Sequence, residues 1–447
     1  MRVSKKSCAP RTGSVTIAPA IFSLKETHLK HHSILIVLLA FMAATLSQAA
    51  IIHVPGDQPT IQAGITVAVT GDTVVVDPGT YFENVNFNGK AITVSSAGGP
   101  HVTIIDGGNV APVATFSQGE TPGAVLKRFT LQHGTSTFET GYMAGGVYIS
   151  SSSPTILGNI IQDNTACGGG GGIAVEFGSP RIQNNMIVNN TQSGCSGGIG
   201  GGGISVGGAG TTQIIANLIS NNAWTSGDGG GISLFASGAV TIKDNIITGN
   251  SASGVSPAAS GGGISIVNDS PALIVQNLIY GNSADQGAGI YLSVPSGSQG
   301  PTLVNNTIAD NTITQQGSAV YATGFDDQVQ FFNNLMIGQR GQSALYCDST
   351  YSSQPPAVAN SDAFSPRGIG FGGTCAQLAT QNGNISADPK FINNVSNFEL
   401  KPTSPVIDAG TNSVPNLPPK DLSRQPRIVD GDGDGTATID MGAYEFQ

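Results

Sequence analysis

Residues 171–190 read GGIAVEFGSPRIQNNMIVNN, and residues 202–222 read GGISVGGAGTTQIIANLISNN. The two stretches are one pattern written twice. A Gly-rich lead is followed by G-[IV]-x-[VIL], then by a second short apolar segment ending in Asn, then by another Asn five residues on. Working outward, the pattern occurs seven times between Gly145 and Gln339. The first Asn recurs as Asn159, Asn185, Asn217, Asn245, Asn277, Asn306 and Asn334, at spacings of 26, 32, 28, 32, 29 and 28 residues. The second recurs as Asn164, Asn190, Asn222, Asn250, Asn282 and Asn311, and an apolar residue (Ile156, Ile182, Ile214, Ile242, Ile274, Leu303, Phe331) stands three before each first Asn. Self-similarity at this period is the mark of a stacked-repeat architecture.

Parity within each copy says which side chains point inward. Val147, Ile173, Ile204, Ile232, Ile264, Ile290 and Val320 share a parity with Ile149, Val175, Val206, Leu234, Ile266, Leu292 and Ala322 two residues on. Between them runs a column read as outward: Tyr148, Ala174, Ser205, Ser233, Ser265, Tyr291 and Tyr321. Period-two alternation is the signature of a half-buried strand. A coil of this length, with three short strands and three turns, is satisfied by stacking each strand on its counterpart in the next coil. The expected fold is all-β, a single-stranded right-handed parallel β-helix of about ten coils, since parallel crossovers are right-handed in nearly all cases. At about 4.8 Å per coil the rod should be about 45–50 Å long. The Asn columns are expected at the turns, adopting the left-handed conformation that Asn tolerates and bonding to one another along the axis.

The rest of the chain frames this array. Gly numbers 62 of 447 residues while Asp, Glu, Lys and Arg together make 10%, a composition for turns and sheets rather than charged helices. Residues 34–46, ILIVLLAFMAATL, are too short for a membrane span and suit a secretory leader, with cleavage expected near Ala49 or Ala50. Residues 1–49 are thus read as a signal peptide and the product as secreted or held at the cell surface, with no membrane span in the mature chain. Its removal leaves 12 basic against 27 acidic residues, a net charge of −15. That surface repels nucleic acid and anionic lipid, and a monomer is expected. Residues 50–102 read as an N-terminal cap and first coil, with a short amphipathic helix starting at Pro59 and Thr60 and burying Ile61, Ile65, Ala68 and Val69. The repeats then run over 103–345, with Arg128 and His133 where the two Asn columns would begin. Residues 346–447 read as a loop-rich C-terminal cap, whose last segment, 421–447, is expected to fold back over the far end.

After leader removal four cysteines remain. Cys167 and Cys195 are 28 residues apart, as are Cys347 and Cys375. One coil step brings each pair within disulfide range, so bonds 167–195 and 347–375 are expected in an oxidising compartment.

These residues resemble the right-handed parallel β-helix repeats of the pectin-lyase-like superfamily. The opening TIQAGITVAVTGDTVVVDPGTYFENVNFNGKAITVSS is similar to the N-terminal cap of exported bacterial members. The ending DPKFINN, FELKPTSPVIDAG and DLSRQPRIVDGDGDGTATIDMGAYEF resembles the C-terminal region of choice-of-anchor Q proteins. Most such proteins have no established activity, and a minority of the superfamily are polysaccharide lyases, hydrolases or epimerases.

The resemblance implies what a catalytic site would need: clustered carboxylates for Ca²⁺ with an Arg or Lys base in a lyase, or Asp on neighbouring coils with Gly-His-Gly and Arg-x-Lys in a hydrolase. The regular repeats offer only Arg181 and Lys243 as bases. Asp163, Glu176, Asp228, Asp244, Asp269, Asp285 and Asp310 are scattered, no His follows His133, and Asp326-Asp327 reads as a turn. No catalytic residue is assigned. The leading reading is a non-catalytic polysaccharide-binding or adhesion scaffold; the alternative is a carbohydrate-active lyase, epimerase or hydrolase of the superfamily. Tyr148, Glu176, Phe235, Tyr291 and Tyr321 are the candidate sugar-binding residues, because rings stack on sugar C–H faces while hydroxyls and carboxylates take the polar edge. The competing reading of the Tyr and Ser column is that these residues simply suit parallel strands. Trp224, the single Trp, is a lid or a loop anchor. Asp430, Asp432 and Asp434 sit at positions 1, 3 and 5 of a Ca²⁺-loop-like run with Gly435 at 6. Position 12 is Met441, so a structural Ca²⁺ would need another acid, Glu445 or Asp408.

Overall fold

The alternation of inward Ile and Val with short turns produces three long parallel sheets. The computed structural model describes residues 48–447 apart from 138, 140, 142, 193–199, 255–257, 325–327, 351–353 and 394. The leader therefore lies outside the described residues, save Gln48 and Ala49. Residues Ala49–Gln447 form one compact unit.

Each coil contributes one strand to each long sheet. Sheet one has eleven strands and holds the G-[IV]-x-[VIL] segments, among them Val147–Ser150, Ile173–Glu176, Ile204–Gly207 and Ile232–Phe235. Sheet two has twelve, including Arg181–Gln183 and Thr241–Lys243, and sheet three eleven, including Met186–Val188. A fourth sheet of six short strands, from Thr165–Ala166 to Thr312–Gln316, follows sheet three within the middle coils. Like pairs with like along the axis: Ile173, Ile204, Ile232, Ile264 and Ile290 are successive partners. The enclosed core is continuous, with the inward columns buried from Val54 to Leu378. An all-β parallel solenoid of about ten coils is what the repeats specify.

The Asn columns do more than sit in turns. The left-handed residue is the one before each column Asn: Ala216 (φ 53°), Asp244 (φ 57°) and Gln276 (φ 57°) precede Asn217, Asn245 and Asn277. The column Asn itself is turned inward and buried. This corrects the expectation that the column Asn takes the strained conformation. A carboxamide facing the interior has four hydrogen-bonding positions to satisfy, and the coil repeat supplies them.

The outward column of sheet one is also not what parity alone suggests. The Gly lead doubles back across that face before entering the strand. A Cβ at Gly229 (φ 92°) would lie 2.7 Å from the Ser233 Cβ, and one at Gly261 2.8 Å from that of Ser265. The column is thus outside the core yet covered: Ala174, Ser205, Ser233 and Ser265 are buried, and Tyr148 and Tyr321 are only 9% and 6% exposed.

The ends are closed differently from each other. At the N-terminus, the helix Ile61–Val67 packs Ile61, Gly64 and Ile65 against the first strands. Thr60 Oγ1 caps Ala63 N at 3.0 Å, and the Glu83 carboxylate receives the N–H groups of Ile61 and Gln62 at 2.9 Å, an anion where the helix dipole favours one. Val69 lies beyond the helix and is 57% exposed, so it does not share the buried face expected of it.

Parallel pairing continues past residue 345, through Ser343–Cys347, Ala357–Ala359, Asp362–Phe364 and Ile369–Gly373. The 3₁₀ turn Thr374–Leu378 then brings Cys375 and Leu378 into the main core. The Cys347–Cys375 disulfide forms, with Cα atoms 5.4 Å apart. Cys167 is also disulfide-bonded, while Cys195, the partner expected from the spacing, lies outside the described residues.

Residues 386–447 do not fold over the far end. They lie along the flank, on the outward-pointing left-handed residues between sheets two and three. Asn305 Nδ2 donates to the carbonyls of Asp440 (3.1 Å) and Gly442 (3.2 Å), Asn333 Nδ2 to that of Thr411 (3.0 Å), and Arg427 Nε to Gln276 Oε1 (3.0 Å). A second apolar cluster of Phe391, Phe398, Leu400, Val406 and Met441 seals this contact over Leu278, Ala309 and Leu335. Three consecutive coils are tied by one segment, which a terminal cap could not do.

Candidate functional site

The five residues read as a sugar-binding face fall into two groups, whose nearest members, Phe235 and Tyr291, stand two coil steps apart. Tyr148, Glu176 and Phe235 belong to the first. In sheet one, Glu176, Gly207 and Phe235 are successive register partners, so Glu176 and Phe235 stand on either side of a glycine. Tyr148 donates its hydroxyl to Glu176 Oε2 at 2.6 Å while its ring packs with Met143, Ala144 and Ala174. Phe177, at the turn after the strand, is 67% exposed and lies over Gly208, where a Cβ would meet its ring at 2.5 Å. Phe177, Phe235, Glu176, Gly207, Gly208 and Met143 line an open groove of about 360 Å³. Phe177 and the two glycines escaped the sequence reading. Their signal was the break in an otherwise filled column, which becomes visible once the register is fixed.

Tyr291 and Tyr321 belong to the second group. Their rings stack at 5.7 Å with 16° between planes, and Tyr321 stacks in turn on Tyr346 at 5.5 Å and 24°. Tyr321 donates its hydroxyl to Asp348 Oδ2 at 2.6 Å; burial, then that hydrogen bond, pushes the phenol above its usual range. The three rings turn their faces to one another. Tyr346 was legible: GSAVYA at 317–322 is echoed by QSALYC at 342–347. Trp224 is buried in the fourth sheet, over Gly227, an anchor rather than a lid.

Of the groups considered for catalysis, Glu176 alone among the described residues lines the groove. Arg181 and Lys243 are on sheet two, at opposite ends of their strands, and Arg181 Nε is bonded to Gln183 Oε1 at 2.6 Å. Asp228 accepts the Ser260 N–H at 2.8 Å, and burial raises its pKa to about 6. Asp326 and Asp327 lie outside the described residues. A second cavity, of about 330 Å³, opens at the seam between coils and C-terminal segment, where Asp310, Arg340, Asp388, Phe364 and Phe391 meet. Burial holds the Asp310 carboxyl above its ordinary value.

The Asp-rich turn folds into an exposed loop whose carboxylates accept its own backbone N–H groups. Asp430 accepts from the N–H groups of Gly433 (2.9 Å) and Gly435 (3.0 Å), and Asp432 from that of Asp434 (3.0 Å). Of the two further acids considered, Asp408 arrives: its Oδ2 accepts from Gly431 (2.9 Å) and Asp432 (2.8 Å) N–H groups. Oxygens of Asp408, Asp430 and Asp432 lie within 4.8 Å of one another, and Asp408 Oδ1 is buried without a hydrogen-bond partner. Asp434 is not in the cluster and accepts from Thr436 N instead (2.7 Å). Glu445 is occupied elsewhere, paired with Arg427 at 3.3 Å. Three hard oxygen donors and an orphaned lone pair fit Ca²⁺ chemistry.

The family model of the right handed beta helix region matches residues 197–361. No curated protein matches the sequence. Among solved structures, the crystal structure of pectate lyase Pel9A superposes with a TM-score of 0.52 at 17% identity, covering 90% of this chain and 98% of that one. The complex structure of XylC with xylose gives a TM-score of 0.44 at 13% identity, covering 74% and 84%. The chain is a right-handed parallel β-helix of pectin-lyase-like fold. Among the described residues no helix is long and apolar enough to cross a membrane.

Proposed function

We propose that this protein is an exported β-helix scaffold that binds polysaccharide without cleaving it. The observation that carries the reading is the groove on sheet one, where the apolar rings of Phe177 and Phe235 share the lining with the Glu176 carboxylate held by Tyr148. Rings with one polar group between them are how proteins hold a sugar, which is apolar on its faces and polar at its edge. The fold is shared with a pectate lyase, but Arg181 and Lys243, the bases of the regular repeats, stand on another sheet. The acidic surface favours glycan over nucleic acid as partner. The leader-like residues 34–46 and the disulfide support export, and the C-terminal segment's likeness to choice-of-anchor Q proteins supports work at a cell surface.

The test is a glycan-binding screen of the chain from residue 50 onward, run alongside an assay for unsaturated or reducing-end products. Binding without products supports the scaffold. Products released from any bound glycan establish the superfamily's enzymatic alternative instead.

The Asp408–Asp430–Asp432 loop is proposed to take one structural Ca²⁺. Its place on the C-terminal segment, far along the chain from the groove, assigns it to holding that segment rather than to sugar chemistry.

A further inference from the structure

Glycine 207 breaks a column that has no structural need of a glycine. Ser150, Glu176, Gly207, Phe235, Val267, Ser293 and Thr323 are successive register partners on sheet one, and six of the seven carry a side chain. Its neighbour Gly208 is required twice over, by φ 75° and by the Phe177 ring 2.5 Å from where a Cβ would stand. Gly203 likewise sits 2.6 Å from the Gly231 carbonyl by the same measure. Gly207 has no left-handed φ, and an added Cβ would meet only the Phe235 carbonyl at 3.8 Å, an ordinary contact. The backbone would accept another residue there, so the missing side chain is open space above the strand.

We infer that the slot over Gly207 is a binding subsite for one neutral pyranose ring of a glycan, gripped between Phe177 and Phe235 with its hydroxyls on Glu176. This rests on the carbohydrate-binding reading and narrows it to a substrate class. Glu176 and Phe235 are separated by two coil steps, about 9.6 Å between backbones. Once their own side chains are allowed for, about one ring thickness is left. Phe177 is exposed beside the slot, and both aromatic residues line the cavity. The Glu176 carboxylate does not swing, because Tyr148 holds its Oε2 at 2.6 Å. Its Oε1 accepts no hydrogen bond among the described residues and is available to sugar hydroxyls.

Charge selects the class of sugar. Glu176 is the one charged side chain among the described residues lining the groove. A uronate would set its carboxylate against Glu176 in a partly desolvated slot with no cation to offset the repulsion. A neutral hexose or pentose meets no such penalty and supplies the donors that a carboxylate accepts.

Calorimetric titration of the chain from residue 50 with short xylo-, gluco-, manno- and galacturono-oligosaccharides tests this. The expected result is binding of a neutral series and none of the galacturonate. Gly207→Val, a strand-compatible residue that fills the slot, should weaken binding by about tenfold or more with an unchanged melting temperature. If Gly207→Val fails to fold, Phe177→Ala, which trims an exposed side chain, reads the same contact. Neutral-glycan binding untouched by Gly207→Val or Phe177→Ala overturns the subsite while leaving the carbohydrate reading in place. Galacturonate binding that Gly207→Val abolishes overturns the neutral class alone. No binding of any series overturns both.

Discussion

Asn217 donates both its backbone N–H and its carboxamide Nδ2–H to a single oxygen, Asn245 Oδ1, at 2.8 and 3.0 Å. Asn245 repeats the arrangement on Asn277 at 3.0 Å, and its Nδ2 also reaches back to the Ile214 carbonyl at 2.9 Å. Each carboxamide therefore serves three coils at once. Asn245→Ala strands two donors and a carbonyl in the interior, each costing about 1–3 kcal/mol when buried without a partner. We expect a loss of about 3–5 kcal/mol in chemical denaturation. A loss below about 1 kcal/mol would mean that water replaces the ladder.

The Cys347–Cys375 bond ties the last coils to the 3₁₀ turn that closes the core. It encloses a sequence separation of 28 residues, for which chain entropy gives about 3–4 kcal/mol. Cys347→Ala/Cys375→Ala should lower stability by about that amount, with hydrogen exchange rising first in 343–380. Uniform exchange across all coils would show that the end is held by packing rather than by the bond.

Arg427 and Glu445 are both fully buried, and Arg427 further donates to the Gly442 and Ala443 carbonyls at 3.0 and 2.8 Å. Burial raises Glu445 to about 7, with Asp440 adding to the shift and Arg427 opposing it. Arg427→Met leaves that carboxylate unpaired and should cost about 3–5 kcal/mol. The loss is local, so limited proteolysis should release residues 386–447 from an intact solenoid. Arg427→Met/Glu445→Gln should recover much of the loss; equal sensitivity of the double variant would show that packing of the Met, not charge, is at fault.

Which of these features the residues disclose follows from where the information sits. Inward Ile and Val fix the coil because a parallel register repeats one choice in every turn, so one copy checks another. The Asn columns were visible for the same reason, but their geometry was not: the strained φ belongs to Ala216 or Asp244, one position earlier, and sequence alone does not say which of two neighbours turns. The groove was half legible. Glu176 and Phe235 share a parity, whereas Gly207 and Phe177 matter through a gap and a turn, which no pattern of residue types announces. The cover over the outward column was invisible because glycines leave no periodic trace of where the backbone goes. Asp408 joins Asp430 and Asp432 across more than twenty residues, a contact set by the docked flank.

Asp228 carries a pH dependence that can be read separately. Burial raises its carboxyl from 3.8 to about 6 against the opposing Ser260 hydrogen bonds. Above about pH 4 the unfolded chain has lost this proton while the folded chain keeps it until about pH 6. Stability from this residue is thus present at acid pH and falls across that window, by about 2–3 kcal/mol in full. Asp228→Asn keeps an acceptor for Ser260 N–H and does not ionise. The variant should match the wild type near pH 4 and exceed it at pH 7.5; parallel stability curves would assign the slope to other carboxylates.

Ca²⁺ should act on the flank segment through Asp408. That residue is positioned by the Gly431 and Asp432 N–H groups on one oxygen, with the other buried and bare. An ion binding only the folded loop stabilises it by about 2.7 kcal/mol at a hundredfold excess over the dissociation constant. Because Asp408 N–H also donates to Asp440 Oδ1 at 2.7 Å, the gain should extend to the docked segment as a whole. We expect millimolar Ca²⁺ to raise the melting temperature and slow proteolysis of 386–447, and Asp432→Asn to abolish both effects while Asp434→Asn changes little. Equal responses to Ca²⁺ in wild type and Asp432→Asn would leave the loop a hydrogen-bonded turn.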